Sequence, residues 1–426
     1  MQKKIKVLWL TNICMPDVAE EFNKEKSFAG GWLSGLFSGI HKNEDISLCI
    51  CFPLYGEEKT KKVIKANVSY YGVGVSSIPY QYSDKTEKAF KKIIKNEKPD
   101  LVHIFGTEFA HTLAMVNAFK NSEKTVISIQ GLCSIYANHY LEGIPKKAIN
   151  ARSFKEIVKR RGLISERKDY KKRGKLEIEA LKKVNHVIGR TSWDKACASQ
   201  INPNAKYHFC NESLRESFYN KAWNTSKCEK YSLFVSQGNY PIKGLHYMIE
   251  ALSIIKKRFK EVKLYIAGGN IIEKNNRFIQ MIKTPSYPRY IKSLIEKYDL
   301  YGNVVFTGNL NEEEMRDKFL NSHVFVSPST IENSPNSVGE AMLLGVPCVS
   351  SDVGGVLDLL KHKSEGFVYQ STAAYMLAHY VLTLFEDNKL CIEFSKKSKE
   401  HAALTHNKEI NSKTLTDIYV DIAKEN

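Results

Sequence analysis

The sequence lacks a hydrophobic stretch that could cross a bilayer, because no apolar run in its 426 residues approaches the roughly 18 that a span requires. It also lacks a Cys-x-x-Cys pair and a histidine cluster at zinc-binding spacing, so the spacing predicts neither a redox dithiol nor a metal site. The nine cysteines are scattered, and Cys49, Cys133 and Cys348 lie in apolar, strand-like surroundings. We therefore expect buried free thiols in a reducing compartment.

The first residues, MQKKIKVLWLTNICMPDVAEEF, place lysines before a short apolar run, as a signal peptide does. Thr11 and Asn12 close that run, and no small-residue cleavage site follows. We therefore expect a first β-strand here and a cytoplasmic protein.

The net charge of +17 is concentrated between Lys146 and Lys183, where 15 Lys/Arg and 5 Asp/Glu give +10. Phe154, Ile157 and Val158 in this stretch have helical spacing. One interpretation is a solvated basic face. The other is attraction to a phosphate-bearing acceptor or to an anionic membrane, which would place the protein at the inner face of the cytoplasmic membrane. Nucleic acid is not predicted, because no aromatic-interleaved basic motif occurs.

Short β-rich runs alternate with helical segments throughout the chain. In the first half these runs are KIKVLWLTN, ISLCICF, DLVHIFG and KTVISIQGL; in the second they are YSLFVSQGN, VKLYIAGG, NVVFTGN, HVFVSPS and PCVSS. Apolar strands alternating with helices predict an α/β protein with two doubly wound, Rossmann-like domains. We expect the domains at residues 1–205 and 206–395, followed by a helical segment, 396–426, that packs back toward the first domain.

The stretch ENSPNSVGEAMLLGVP follows one of these strands and predicts a helix. Ser334 is a good N-cap, and Pro335 suits the first helical position. We expect the helix to run to Leu344 and to end at Gly345. Glu332 then lies in the loop at the carboxyl end of the strand.

The same stretch combines an anion site with two carboxylates. The backbone amides of Asn336 and Ser337, at the start of the helix, attract anions such as phosphate. Glu332 and Glu340 can accept hydrogen bonds from sugar hydroxyls. Together these groups fit a nucleotide sugar, with its diphosphate at the start of the helix and a hydroxyl-rich sugar on either side.

The longer run VFVSPSTIENSPNSVGEAMLLGVPCVSSDVGG resembles the donor-binding signature of retaining glycosyltransferases of family 4, which have the GT-B fold. The resemblance implies two Rossmann-like domains facing a central cleft, the first for the acceptor and the second for the nucleotide-sugar donor. It also implies that Glu332 contacts the donor sugar and that Glu340 holds the ribose.

Two more segments carry the resemblance. QGNYPIKGLHYMIEA resembles the lysine loop, which implies Asn239 near the donor and Lys243 on the diphosphate. AGGW, with Gly30 and Gly31, resembles the glycine turn that lets the backbone approach the donor. Glu332 and Lys243 are the predicted catalytic pair. No Asp-x-Asp motif occurs, so we expect no cofactor and no metal, with Lys243 and the helix end in place of Mg²⁺.

The sequence departs from the family pattern at two places. The arginine that often follows the glycine of the lysine loop is missing; Arg190 or Arg215 could supply its charge or could form a surface or interdomain ion pair instead. Gln130 stands where relatives often have a histidine. His103 and Glu108, at a neighbouring strand end, are further candidates for the cleft or the acceptor site, although His103 alone also fits a hydrogen-bonded core residue.

The expected function is transfer of a sugar from a nucleoside-diphosphate sugar to a glycan or lipid-linked acceptor in cell-surface polysaccharide synthesis. Two alternatives stay open. One is a nucleotide-sugar epimerase of the same fold, which needs no separate acceptor. The other is a catalytically decayed binding protein at a membrane surface, which the two departures from the pattern would suit.

Overall fold

The computed structural model describes residues 4–25, 30–271, 282 and 284–425. It divides the chain into two compact units. Unit 1 comprises Met1–Ile135, Asp169–Arg215 and Thr405–Asn426, and unit 2 comprises Tyr136–Lys168 and Glu216–Leu404.

These bounds differ from the predicted ones. The first division falls after Arg215 rather than at 205/206, because Lys206–Phe209 forms a strand that completes the sheet of unit 1. The segment Tyr136–Lys168 groups with unit 2, which the sequence did not indicate. The predicted segment 396–426 contains parts of two helices, divided between the units after Leu404.

Fourteen strands are described in the two sheets. The strands are β1 (Ile5–Leu10), β2 (Ile46–Tyr55), β3 (Lys61–Lys65), β4 (Val68–Val75), β5 (Leu101–Phe105), β6 (Thr125–Ser128), β7 (His186–Gly189), β8 (Lys206–Phe209), β9 (Glu229–Val235), β10 (Lys263–Ala267), β11 (Val304–Gly308), β12 (Ser322–Ser327), β13 (Cys348–Asp352) and β14 (Phe367–Gln370). All nine predicted strand segments are among them.

Helices connect these strands. Those described are α1 (Gly31–His41), α2 (Asp84–Glu97), α3 (Ala110–Phe119), α4 (Cys133–His139), α5 (Lys146–Asn150), α6 (Phe154–Val158), α7 (Leu163–Leu181), α8 (Ser192–Ile201), α9 (Leu245–Ile255), α10 (Ser286–Lys297), α11 (Glu312–Asn321), α12 (Asn336–Leu344), α13 (Val356–Leu359), α14 (Ala374–Glu386), α15 (Asn388–Thr405) and α16 (Lys408–Lys424). In the described part of the chain, no helix is both long and apolar enough to traverse a bilayer.

Unit 1 is built on an eight-stranded sheet in the order β3-β4-β2-β1-β5-β6-β7-β8. All neighbouring strands are parallel except β3 and β4. On β1, Val7 and Trp9 face one hydrophobic core, and Leu8 and Leu10 face the other, so the sheet is covered on both sides. Helix α16 covers one side, where Tyr419 accepts a 2.9 Å hydrogen bond from Trp9 Nε1.

Unit 2 is built on a six-stranded parallel sheet in the order β11-β10-β9-β12-β13-β14. From the centre of the sheet, β9, β10 and β11 follow one another toward one edge, and β12, β13 and β14 follow one another toward the other edge. This is the doubly wound Rossmann arrangement, and its switch point lies between β9 and β12. The prediction of an α/β protein with two Rossmann-like domains is therefore confirmed.

Candidate functional site

The switch point of unit 2 brings two predicted site residues together. Strand β9 continues into the loop that carries Lys243, and β12 continues into the loop that carries Glu332. The strands are hydrogen-bonded neighbours in the sheet. Connections from such a pair leave in opposite directions, which opens a crevice at the carboxyl ends of the strands, where ligands of this fold class bind.

The two loops are held together by their backbones. Thr330 donates its amide to the Ile242 carbonyl at 2.8 Å. Gly244 has φ +65°, and a Cβ at this position would lie only 1.8 Å from the Pro328 carbonyl oxygen. The glycine after the lysine is therefore required both for the turn and for this close approach.

Lys243 and Glu332 form an ion pair at this point. The Lys243 Nζ–Glu332 Oε1 distance is 2.6 Å, and the side chains are 21% and 11% exposed. Ser329 donates its hydroxyl to the same oxygen at 2.7 Å. Burial alone would lower the pKa of Lys243, but the Glu332 carboxylate and the Tyr240 phenol outweigh it and raise the pKa above its ordinary value. Lys243 is therefore a fixed cation.

Helix α12 begins beside these loops, one residue later than predicted. The N-cap is Pro335 rather than Ser334, because Pro335 has an extended backbone (φ −70°, ψ 109°) and its carbonyl accepts the Val338 amide at 2.9 Å. Asn336 and Ser337 therefore occupy the first two helical positions. The helix ends at Gly345, which adopts φ +77°, as predicted.

Glu340 and Asn239 complete the set of predicted donor residues in unit 2. Glu340 lies on α12 and is buried. Asn239 is exposed in the loop after β9 and lies against Gly268 at the end of β10, where an added Cβ would be 2.6 Å from its Oδ1. The predicted donor residues of unit 2 thus lie on connections that follow β9 and β12.

Sequence reasoning did not assign a role to the Gly-Gly pair after β13. Gly354 has φ +53°, and a Cβ there would lie 1.7 Å from the Glu332 carbonyl oxygen. Gly355 donates its amide to the same carbonyl at 3.3 Å. The pair therefore supports the backbone of Glu332. In the sequence, these two glycines are the last residues of the run that resembles the family's donor-binding signature.

Two candidates in unit 1 are bound to the same carboxylate. Arg190 forms a buried ion pair with Glu212, and Gln130 donates Nε2 to the other carboxylate oxygen at 2.5 Å. The charge of Arg190 is thus already neutralised, although the pair is buried within unit 1 and is not the surface or interdomain ion pair of the alternative interpretation. Glu212, which the sequence analysis did not single out, organises this cluster.

His103 is a core residue. It is buried; Nδ1 is hydrogen-bonded to the Tyr419 hydroxyl and Nε2 to the Ser128 hydroxyl at 2.7 Å. Which group donates in each bond depends on the tautomer of the ring. Burial lowers the pKa of His103 to about 3, so the ring is neutral. These contacts fit the core interpretation of His103.

Glu108 belongs to a hydrogen-bonded chain at the end of β5. His111 Nε2 bonds Asn12 Oδ1 at 2.9 Å, and Asn12 Nδ2 bonds Glu108 Oε2 at 3.2 Å. Burial raises the pKa of the Glu108 carboxyl, although the Arg173 charge acts against this. Sequence reasoning missed Asn12 and His111, since neither belongs to a spaced motif.

Gly30 and Gly31 lie at the start of α1, where Gly30 is the N-cap. A Cβ on Gly30 would lie 2.1 Å from Ile13 Cδ1, and one on Gly31 would lie 2.1 Å from Arg215 Cγ. A side chain at either position would therefore displace the Ile13 or Arg215 side chain within unit 1. Across the described ranges, no group of three His, Cys, Asp or Glu side chains is arranged to hold a metal ion.

Comparison with known proteins gives a family match in unit 2. Residues 216–401 match the family model described as Glycosyl transferases group 1. An uncharacterized glycosyltransferase of Methanocaldococcus jannaschii is 31% identical over 138 residues, which cover 32% of this chain and 31% of that protein. The amylovoran biosynthesis glycosyltransferase of Erwinia amylovora is 25% identical over 187 residues, 42% of each chain. The matches thus span less than half the length of these relatives.

A solved structure matches over nearly the whole chain. The Anabaena protein HepE, solved in complex with UDP and glucose, is 14% identical with a TM-score of 0.66, and the alignment covers 98% of this chain and 100% of that one. The chain therefore has the two-domain fold of this structure, and its residues 216–401 carry the sequence pattern of the group 1 glycosyl transferases.

Proposed function

We propose that this protein is a glycosyltransferase that moves a sugar from a nucleoside-diphosphate sugar to a glycan or lipid-linked acceptor. The observation that carries the proposal is the Lys243–Glu332 ion pair at the switch point of the unit 2 sheet. A largely buried cation, a helix start and a fixed carboxylate there form a site for an anion that is attached to a sugar.

In the proposed reaction, the bond between the anomeric carbon and the diphosphate oxygen breaks, and the leaving group gains negative charge. An acceptor hydroxyl oxygen bonds to the anomeric carbon, and its proton passes to the departing diphosphate. Lys243 and the first amides of α12 stabilise that charge. Lys243 gives up part of its contact with Glu332 when the diphosphate binds, and little further reorganisation is then needed during bond cleavage. Lys243 and the helix start take the role that Mg²⁺ has in metal-dependent transferases, so we propose metal-independent transfer.

Glu332 orients the transferred sugar in this proposal. Its Oε1 accepts hydrogen bonds from Lys243 and Ser329, and Oε2 of the same carboxylate then serves a sugar hydroxyl. A carboxylate held by two donors and by the Gly354–Gly355 backbone suits positioning better than nucleophilic attack. We propose retention of the anomeric configuration without a covalent intermediate on Glu332.

The remaining donor contacts follow the family pattern. We propose that Glu340 accepts hydrogen bonds from the ribose, that Asn239 and the Asn336 and Ser337 amides contact the diphosphate, and that Gly30 and Gly31 contribute backbone close to the donor. Glu340, Asn239, Asn336 and Ser337 all lie within residues 216–401, which match the family model. The complex of HepE with UDP and glucose supports a UDP-sugar as the donor to test first.

The acceptor is assigned to unit 1, where Glu108, Gln130 and Arg190 are the proposed contacts. The relative from Erwinia amylovora, named for amylovoran biosynthesis, supports a role in polysaccharide synthesis. We propose that the protein works at the inner face of the cytoplasmic membrane, with the basic stretch Lys146–Lys183 toward anionic lipid. We propose no nucleic-acid partner.

A ligand screen followed by a transfer assay tests the proposal. Thermal shift over UDP, GDP, ADP and their sugars should identify one nucleotide, since a ligand at 100 times its Kd stabilises the folded state by about 2.7 kcal/mol. With that donor and a glycan or lipid-linked acceptor, the protein should release nucleoside diphosphate equally with and without EDTA. NMR should show a product with the donor's anomeric configuration. Epimerisation without an acceptor, or binding without turnover, would favour the two alternatives instead.

A further inference from the structure

Helix α6 exposes its apolar face to solvent and turns a polar residue inward. Phe154, Ile157 and Val158 are spaced i, i+3 and i+4, so they share one helix face. They are 62%, 52% and 66% exposed, although each is apolar. Surface helices normally turn such a face toward the core.

The opposite face of α6 carries a buried carboxylate. Glu156 accepts a 3.0 Å hydrogen bond from the Ser286 amide at the start of α10 and one bifurcated bond from the Ser286 hydroxyl, which lies 3.1 and 3.0 Å from its two oxygens. It also accepts from Ser153, which caps α6. Hydrogen bonding by Ser153 and Ser286 overcomes the effect of burial and lowers the pKa of Glu156, so the carboxylate is ionised at neutral pH. These contacts fix α6 on unit 2 with its apolar face outward.

Basic side chains surround the exposed apolar face. Lys155, Lys159, Arg160 and Arg161 are exposed on α6 and in the turn that follows, and Arg152 is exposed just before it. Glu156 is the only acidic residue in 152–161, and it is buried. The surface thus presents three apolar side chains within a cluster of positive charge.

We propose that this surface, α6 with its basic flanks at residues 152–161, docks on an anionic lipid bilayer. Phe154, Ile157 and Val158 insert among the headgroups, and the lysine and arginine side chains contact the lipid phosphates. Apolar insertion combined with attraction to anionic lipid is the energetic basis of interfacial binding. The positive charge argues against a second copy of this surface as the partner, because like charges would then be brought together.

The docking surface is distinct from the Lys243–Glu332 site. Lipid binding can therefore be measured without turnover. That the same membrane also carries the acceptor rests on the proposed function.

Vesicle sedimentation tests the docking with the full-length chain. The wild type should bind vesicles of phosphatidylglycerol and phosphatidylcholine, bind pure phosphatidylcholine weakly, and dissociate as salt screens the charges. A Phe154→Ser, Ile157→Ser, Val158→Ser triple variant should bind the anionic vesicles at least about tenfold more weakly, because apolar area drives the insertion. A Lys155→Glu, Lys159→Glu, Arg160→Glu variant should lose the preference for anionic lipid.

The matched control replaces apolar residues of similar exposure elsewhere in unit 2. Tyr375 and Leu404 are 63% and 70% exposed, and Tyr375→Ser, Leu404→Ser should leave vesicle binding unchanged. Thermal shift with the cognate nucleotide should be normal in every variant, which separates failure of docking from failure of the proposed function. Wild-type binding by the serine triple variant would overturn the proposal. So would equal binding to neutral vesicles, or a wild-type dimer that this variant dissolves.

Discussion

Replacing Glu332 with glutamine should separate the two ends of the donor site. The Glu332 carboxylate lies 2.6 Å from Lys243 Nζ and neutralises it, so a diphosphate has to share that lysine with it. A glutamine side chain has nearly the same shape and can still accept a hydrogen bond through its carbonyl oxygen. The substitution therefore removes a negative charge with little change in volume.

The expected magnitude follows from the charges. Two unit charges about 6 Å apart repel by about 3 kcal/mol at an effective dielectric constant of about 20. Solvent reaches part of this pair, so we take about half, which corresponds to about tenfold in Kd. Glu332→Gln should leave nucleoside-diphosphate affinity unchanged or tighten it by up to about tenfold. It should lower kcat by about 100-fold, because orientation of the sugar is lost.

Glu340→Gln should behave in the opposite way. If Glu340 holds the ribose, losing a charged acceptor should weaken nucleoside-diphosphate binding by about tenfold and raise donor KM more than it lowers kcat. Calorimetric titration and steady-state kinetics on both variants give the comparison. Glu365→Gln, also a buried carboxylate of unit 2, is the matched control and should change neither quantity. Equal weakening of binding by Glu332→Gln and Glu340→Gln would refute the two-ended assignment.

Three further substitutions test other parts of the structure. Lys243→Met should reduce turnover by at least about 100-fold while circular dichroism shows an intact fold, and near-normal kcat/KM would exclude Lys243 from the diphosphate site. Gly244→Ala should lower the free energy of unfolding by more than about 1 kcal/mol, because φ is +65° and the Pro328 carbonyl occupies the space of a Cβ. The control Gly302→Ala should not lower it, because the space around Gly302 is open. Equal denaturation midpoints for the two variants would contradict this. His103→Gln should reduce the loss of stability between pH 7 and pH 5 by about 2 kcal/mol. The native pKa of His103 is about 3, so only the unfolded chain binds a proton at this residue as the pH falls below about 6.5, and the histidine therefore destabilises the folded protein in acid. Parallel profiles of unfolding free energy against pH for the wild type and the variant would exclude this.

Five of the six strands of unit 2 were predictable because they are mainly apolar runs next to glycine or proline, whereas β14 was not predicted. The helix at Asn336–Leu344 was predictable for the same reason, since Pro335 and Gly345 mark its ends. The one-residue error at its start arose because both Ser334 and Pro335 suit a helix N-terminus, and only backbone geometry separates them. The β8 strand was missed, since KYHF lies in a polar stretch and pairs at the sheet edge, where residues are less buried.

The grouping of residues 136–168 with unit 2 depends on contacts that have no sequence period. Glu156 reaches Ser286, and Thr330 donates its hydroxyl to the His139 carbonyl. Such pairs are 130 and 191 residues apart, so no local pattern indicates them. The Lys243–Glu332 contact was not foreseen either. The resemblance assigned the two residues to different parts of a ligand, whereas the structure pairs them with each other.

A crystal structure of the protein with its cognate nucleoside diphosphate tests the central claim most directly. The account predicts the β-phosphate against Lys243 Nζ and the first amides of α12, the ribose hydroxyls on Glu340, and the Lys243–Glu332 distance longer than 2.6 Å. A diphosphate bound away from the β9–β12 switch point, with the Lys243–Glu332 pair unchanged, would contradict it.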